Sequence, residues 1–80
     1  MDETPSIAEI EAAVTEQYRS LLSAGDVSPD DDLFALGGDS LLLTRVLGWV
    51  RSEYKVRVSA INLIESASPR RVARLIVDQL

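Results

Sequence analysis

Phe34-Ala35-Leu36-Gly37-Gly38-Asp39-Ser40-Leu41 is the stretch on which the reading of this chain turns. Two adjacent glycines interrupt any regular element, because a backbone without Cβ atoms enters turns that other residues avoid. Asp39 follows as a helix N-cap, with a carboxylate suited to accept from the N–H groups of the first turn. Ser40 falls at the first helical position, and Leu41 opens an apolar-periodic run. The junction therefore presents one hydroxyl where coil becomes helix. Exposed N–H groups and the positive end of the helix dipole favour an anion there, a phosphoester included. Asp-Ser is also ordinary capping chemistry, so these residues alone leave open whether the hydroxyl does anything further.

Downstream, the pattern predicts a helix over about residues 40–54. Leu43, Val46, Leu47, Val50 and Tyr54 share one face at ~100° per residue, and that face is the expected core side. Leu41, Arg45 and Gly48 point the other way, with Thr44 on the shoulder. Leu42 and Trp49 lie together on the flank, where Trp49 is expected to pack on Leu42. A leucine opposite the core, beside a glycine on the same helix, makes a flat apolar spot that another protein can approach. A stray surface leucine is the plainer alternative.

Upstream, Ser6 and Glu9 have capping-box spacing, with Thr4-Pro5 as the competing start. Ile7, Ile10, Val14, Tyr18 and Leu21 then stripe a helix over about residues 6–24, with Gly25 as its stop. Residues 25–38 carry no long period. Ser28-Pro29-Asp30-Asp31 suits a capped single turn that would place Leu33 and Phe34 inward, with Leu36 as the next apolar anchor. So long a connection in so small a domain is usually functional. Its acids do not suit a calcium loop: Asp30, Asp31 and Asp32 are adjacent, no glycine is in register, and a bidentate Glu is missing.

Lys55-Val56-Arg57-Val58 alternates but is too short for a sheet and reads as an extended link. Ser59 is placed to cap a short helix over about 60–65 that uses Ile61 and Ile64, with Leu63 beside them. Ser68-Pro69 starts a last helix striped by Val72, Leu75, Ile76 and Leu80. Arg70 and Arg71 sit in its first turn, where a cation opposes the dipole at a cost of ~0.3–1 kcal/mol, which hints at a use for them. The expected fold is all-α. It is a small four-helix bundle of three main helices and one short one, with a long structured loop between the first two. Residues 1–5 read as a polar tail and 6–80 as the domain.

Eighty residues leave room for one core. With 46% hydrophobic and 26% charged residues the chain has globular rather than disordered composition. A net charge of −5 argues against nucleic acid as a partner. No apolar run nears the ~20 residues of a membrane span and no signal-peptide pattern is present, so the cytoplasm is the default setting. The charge is uneven: residues 1–40 carry a balance of −9 and residues 41–80 one of +4.

The chain has no Cys and no His. Disulfides, thiolate or imidazole metal sites and His-assisted nucleophilic catalysis are therefore excluded, and neither catalytic residues nor a metal site are expected. Any thiol chemistry would need a sulfur attached from outside. Gly38-Asp39-Ser40-Leu41 also matches the short motif of the GDSL esterases. That match fails because no base is available to the serine, no strand precedes it, and the chain is too short for that fold.

Over Asp32–Leu42 the sequence resembles the carrier proteins, and specifically the peptidyl carrier (thiolation) domains of nonribosomal peptide synthesis. Leu36-Gly37-Gly38-Asp39-Ser40-Leu41 carries most of the resemblance, and the helix order extends it over about residues 6–80. The resemblance implies a four-helix bundle with a long first loop. It implies that Ser40 is esterified by 4′-phosphopantetheine, transferred from coenzyme A by a phosphopantetheinyl transferase that uses magnesium. The thiol of that arm would carry aminoacyl or peptidyl groups as thioesters to adenylation, condensation or other tailoring enzymes. The residues that would meet those partners are Asp39, Leu41, Thr44, Arg45 and Gly48, on a chain expected to be monomeric.

Two departures stand out. Many peptidyl carriers have His where this chain has Asp39. Ser66-Ala67-Ser68-Pro69-Arg70-Arg71 stands where Pro-Thr or Pro-Ser is more usual. An acyl carrier of polyketide or fatty-acid type is the alternative within the family, although Gly37-Gly38 favours the peptidyl type. An unmodified helical interaction module is the alternative outside it.

Overall fold

The structure, a computed structural model, describes residues 4–23 and 25–80. Four helices follow one another in this region: α1 (Ile7–Leu22), α2 (Ser40–Tyr54), α3 (Ala60–Glu65) and α4 (Pro69–Val77). The all-α bundle and its long first loop agree with the sequence pattern. Packing is closest between α1 and α4, α3 lies on α2, and α1 makes a narrower contact with α2. No helix among the described residues is long and apolar enough to cross a membrane.

Each helix begins as its sequence predicts. Ser6 Oγ accepts from the Glu9 N–H at 3.1 Å and Glu9 Oε1 accepts from the Ser6 N–H at 2.8 Å, so the capping box forms and α1 starts there rather than at Thr4-Pro5. Ser59 and Ser68 cap α3 and α4 through their hydroxyls, accepting from Asn62 and Arg71 at 3.1 and 3.3 Å. The end of α1 is a correction. Ser23, not Gly25, takes the left-handed turn, with φ 52° and its N–H donating to the Arg19 carbonyl. Ala24 and the first three residues of the expected tail lie outside the described region.

Core residues come from every element. Ile10, Val14 and Tyr18 of α1 meet Val46 and Val50 of α2 and Val72, Ala73 and Ile76 of α4 in one buried cluster. Each large side chain buried here removes enough apolar surface to contribute about 1.5–3 kcal/mol. Leu43 is buried, Leu47 and Tyr54 half-buried. Ile7 and Leu80 lie at the ends of their stripes and are exposed by 39% and 49%, short of the core positions that periodicity suggested. Trp49, expected to pack on Leu42, meets Tyr54 edge-on, with centroids 5.6 Å apart and rings at 90°.

Two further expectations are corrected. In α3 the buried anchor is Leu63, whereas Ile61 and Ile64 are 67% and 50% exposed. A helix of six residues completes under two turns, so the i, i+3 spacing of the isoleucines does not decide which side faces inward. In the loop Leu33 is fully buried but Phe34 is 37% exposed. Asp32 Oδ2 accepts from the Phe34 and Ala35 N–H groups at 2.9 and 3.1 Å, winding the chain into a turn in which neighbouring side chains diverge.

The extended link expected over 55–58 is corrected at its first residue: Lys55 ends α2 in the left-handed turn, with φ 58° and its N–H donating to the Arg51 carbonyl. The residues that follow bury Val56 and Val58, and a side chain supplies the bonds that a strand partner would have made. The Gln79 carboxamide accepts from the Arg57 N–H at 3.2 Å and donates to the Arg57 carbonyl. In the interior, the Tyr18 hydroxyl donates to the Ala67 carbonyl at 2.8 Å, and the Leu33 N–H donates to the same oxygen at 3.1 Å. Burial, and secondarily the charge of Asp32, push the Tyr18 phenol well above its ordinary value of 10.0. Below pH ~10 the phenol is neutral in both folded and unfolded chains, and its contribution is complete. Above it, only the unfolded chain releases the proton. Stability should then fall by about 1.4 kcal/mol per pH unit until the folded phenol also ionises. Urea unfolding between pH 9 and 11 checks this: Tyr18→Phe should lose that part of the alkaline slope.

Candidate functional site

The loop reaches α2 by crossing over its own buried leucine. The Gly37 N–H donates to the Phe34 carbonyl at 3.1 Å and the Gly38 N–H to the Leu33 carbonyl at 2.9 Å. Gly37 has φ +100°, a conformation that strains any L side chain. A Cβ at Gly38 would lie 2.7 Å from Leu33 Cγ and 2.8 Å from Leu33 O, so the backbones approach too closely for one. Each glycine thus answers a separate need: one the turn, the other the contact.

That crossing delivers Asp39 extended (φ −134°, ψ −172°), with Oδ1 accepting from the Leu42 N–H at 3.0 Å. The Asp39 carbonyl accepts from the Leu43 N–H at 2.9 Å, the first bond of the helical ladder. Asp39 therefore performs the capping, and Ser40, the next residue, is exposed at the first position of α2. The Ser40 carbonyl accepts from Thr44 Oγ1 at 3.0 Å.

From Ser40 the exposed side of α2 runs through Leu41, Thr44, Arg45 and Gly48. Leu41 is 63% exposed, and nothing lies within 4 Å of where a Gly48 Cβ would be. Asp39, Ser40, Leu41, Thr44, Arg45 and Gly48 are each exposed. Phe34, Ile61 and Ile64 are further exposed apolar residues, which the pattern had placed inward. The signals that could have found them are the Asp32 cap, which turns Phe34 away from Leu33, and the brevity of α3.

A phosphopantetheine family model, described as a phosphopantetheine attachment site, matches residues 8–76. The chain belongs to this family. Among related proteins, the hybrid PKS-NRPS synthetase pynA of Aspergillus niger is 38% identical over 74 residues, which is 91% of this chain and 2% of that protein. Tyrocidine synthase 3 of Brevibacillus parabrevis is 35% identical over 68 residues, 85% of this chain and 1% of that protein. The chain thus spans only one to two hundredths of the length of these relatives. In a solved complex of the phosphopantetheine transferase Sfp with coenzyme A and a peptidyl carrier protein, one chain superposes with a TM-score of 0.83. That match is 20% identical and covers 99% of each chain.

The group characteristic of the family is 4′-phosphopantetheine, and the α2 junction fits it. Ser40 is exposed, Gly37 and Gly38 add no side chains on the loop side, and the start of a helix favours a phosphodiester. Asp39, the preceding residue, carries a negative charge, and its carboxylate is engaged with the Leu42 N–H. When bound, the group would supply a thiol, which this chain lacks.

The two central glycines make opposite predictions. Gly38→Ala should cost about 1–3 kcal/mol, because Leu33 and its carbonyl must shift. Gly48→Ala should stabilise by about 0.5–1 kcal/mol, since it fills open space in a helix interior. Urea unfolding of both variants measures the difference in sign.

Proposed function

We propose that this chain is a peptidyl carrier whose Ser40 hydroxyl is the attachment point for 4′-phosphopantetheine. The observation that carries the reading is the division between Asp39, which caps α2, and Ser40, which is exposed beside it. A phosphopantetheinyl transferase would load the arm from coenzyme A with magnesium in its own site. Adenylation, condensation or tailoring partners would then use the arm for aminoacyl and peptidyl cargo. The chain itself catalyses nothing on this reading: it holds the attachment oxygen still, presents a recognition surface and raises the local concentration of what it carries. We take the cytoplasm as its setting and the monomer as its working form.

Asp39, Leu41, Thr44, Arg45 and Gly48 form the proposed partner surface. An exposed leucine and an uncovered mid-helix glycine favour it: the leucine leaves apolar surface in water, the glycine weakens the helix that holds it, and both suit close approach by another protein. The hybrid PKS-NRPS character of the A. niger relative keeps an acyl-carrier role as a second reading. Offering the loaded chain to amino-acid-activating and malonyl-transferring enzymes separates the two.

Incubation with coenzyme A, magnesium and a broad-specificity transferase should add one phosphopantetheine, read by intact mass. Ser40→Ala should abolish the gain and retain the helical circular dichroism. An unmodified wild-type chain would leave a plain interaction module. Leu41→Glu should slow modification about tenfold, as expected of a central apolar contact. Its melting temperature should move by no more than about 3 °C, as expected of a surface site.

A further inference from the structure

Arg70 stands where a cation opposes the dipole of α4, and the structure shows what occupies it. Its guanidinium spans two carboxylates on different elements: Nη1 lies 2.6 Å from Asp30 Oδ1 in the first loop, and Nε lies 3.4 Å from Glu11 Oε2 in α1. Its backbone N–H donates to the Pro29 carbonyl at 2.9 Å. Two of these three contacts fall on the first loop, at Pro29 and Asp30, and the third on α1. Arg71, its neighbour, makes no ion pair among the described residues, so the two arginines are not equivalent.

The attachment at Pro29 and Asp30 is continuous with the turn that carries Ser40. The Ser28–Asp31 turn is closed by Asp31 Oδ2 accepting from the Ser28 N–H at 2.9 Å and by the Asp31 N–H donating to the Ser28 carbonyl at 3.0 Å. Leu33 follows, its N–H bound to the Ala67 carbonyl at 3.1 Å, two residues before the start of α4. The Leu33 carbonyl then receives the Gly38 N–H at 2.9 Å, and Gly38 lies two residues from Ser40. The loop is thus tied to α4 at Pro29 and Asp30 and to the segment entering α4 at Leu33, three residues after Asp30.

We propose that Arg70 is a positioning residue for Ser40: by clamping the first loop across α1 and α4 it holds the hydroxyl-bearing turn in one presentation for the modifying enzyme. The role rests on the reading of Ser40 as the attachment point. Arg70 acts through Asp30, Glu11 and the loop and touches neither Ser40 nor the incoming group. A lysine is a poor substitute, because a single ammonium lacks the planar fork that reaches two acids from one side chain. Arg70 and Asp30 are solvent-exposed and Glu11 is half-buried, so salt should weaken the clamp, chiefly at Asp30.

The test compares the wild type with Arg70→Ala, Arg70→Lys, the double variant Glu11→Gln/Asp30→Asn, and the triple combination of that pair with Arg70→Ala. Two readouts are taken: transferase kinetics with coenzyme A in excess, and amide hydrogen exchange at Leu33, Gly38 and Val46. Arg70→Ala should raise the KM for the carrier about three- to fivefold, the upper range for exposed ion pairs, and leave kcat nearly unchanged. Exchange at Leu33 and Gly38 should quicken by a similar factor while Val46 in α2 is unmoved. The lysine variant should fall between, and the triple variant should add little to Arg70→Ala. Raising the salt should slow modification of the wild type more than of Arg70→Ala.

Unchanged exchange at Leu33 and Gly38 in Arg70→Ala would overturn the clamp. A raised KM that the acid substitutions neither reproduce nor absorb would also overturn it, since Arg70 would then contact the transferase directly. A wild-type chain that gains no mass removes the Ser40 reading and the positioning role with it. The exchange data distinguish that failure from failure of the clamp alone.

Discussion

The Ala67 carbonyl organises this molecule. It accepts from the Tyr18 hydroxyl and from the Leu33 N–H, and so joins α1, the first loop and the segment entering α4 at one buried oxygen. A carbonyl has two lone-pair directions, and both are used here. The arrangement removes two donors from the interior that would each be costly unpaired, at about 1–3 kcal/mol apiece. It also explains how a loop without regular structure serves as a rigid part. Leu33 is fixed from its N–H side by Ala67 and from its side chain by the core, and its carbonyl then receives Gly38. Leu33 thus links the site to the core, and the clamp proposed at Arg70 holds the same loop from its outer side.

The sequence carried the elements whose physics is local. Ser6 with Glu9, Asp39, Ser59 and Ser68-Pro69 each mark a helix start, because a cap needs only residues within one turn. The core stripes of α1, α2 and α4 were legible because each helix is long enough for its period to declare itself. The outward position of Leu41, Arg45 and Gly48 followed from the same wheel. What escaped depends on distance or on brevity. Ser23 adopts the left-handed turn in preference to a nearby glycine, a choice that propensity does not foretell. In α3 too few residues exist for a period, and Leu63 is selected by its neighbours in space. Phe34 is turned outward by Asp32, which had been read as part of an acidic run and proves to be a turn cap.

The site shows the same division. The need for glycine at Gly37-Gly38 was visible, but its two causes were not. A positive φ at Gly37 is a local demand, whereas the approach of Gly38 to Leu33 is a contact across the turn. Arg70 was visible as a misplaced charge. Its partners were not, because Glu11 and Asp30 are remote in the chain and meet it only after α1 and α4 have packed. Charge asymmetry along the sequence has one structural counterpart among the described residues: Arg70 of the second half closes on two acids of the first.

The cap at Asp39 has a consequence for cargo. A helix whose start is fastened by one residue is insulated from what hangs on the next. On the proposed reading, bare and burdened forms would share the same scaffold, and downstream enzymes would have to tell them apart by feeling the pendant chain rather than by sensing a refolded body.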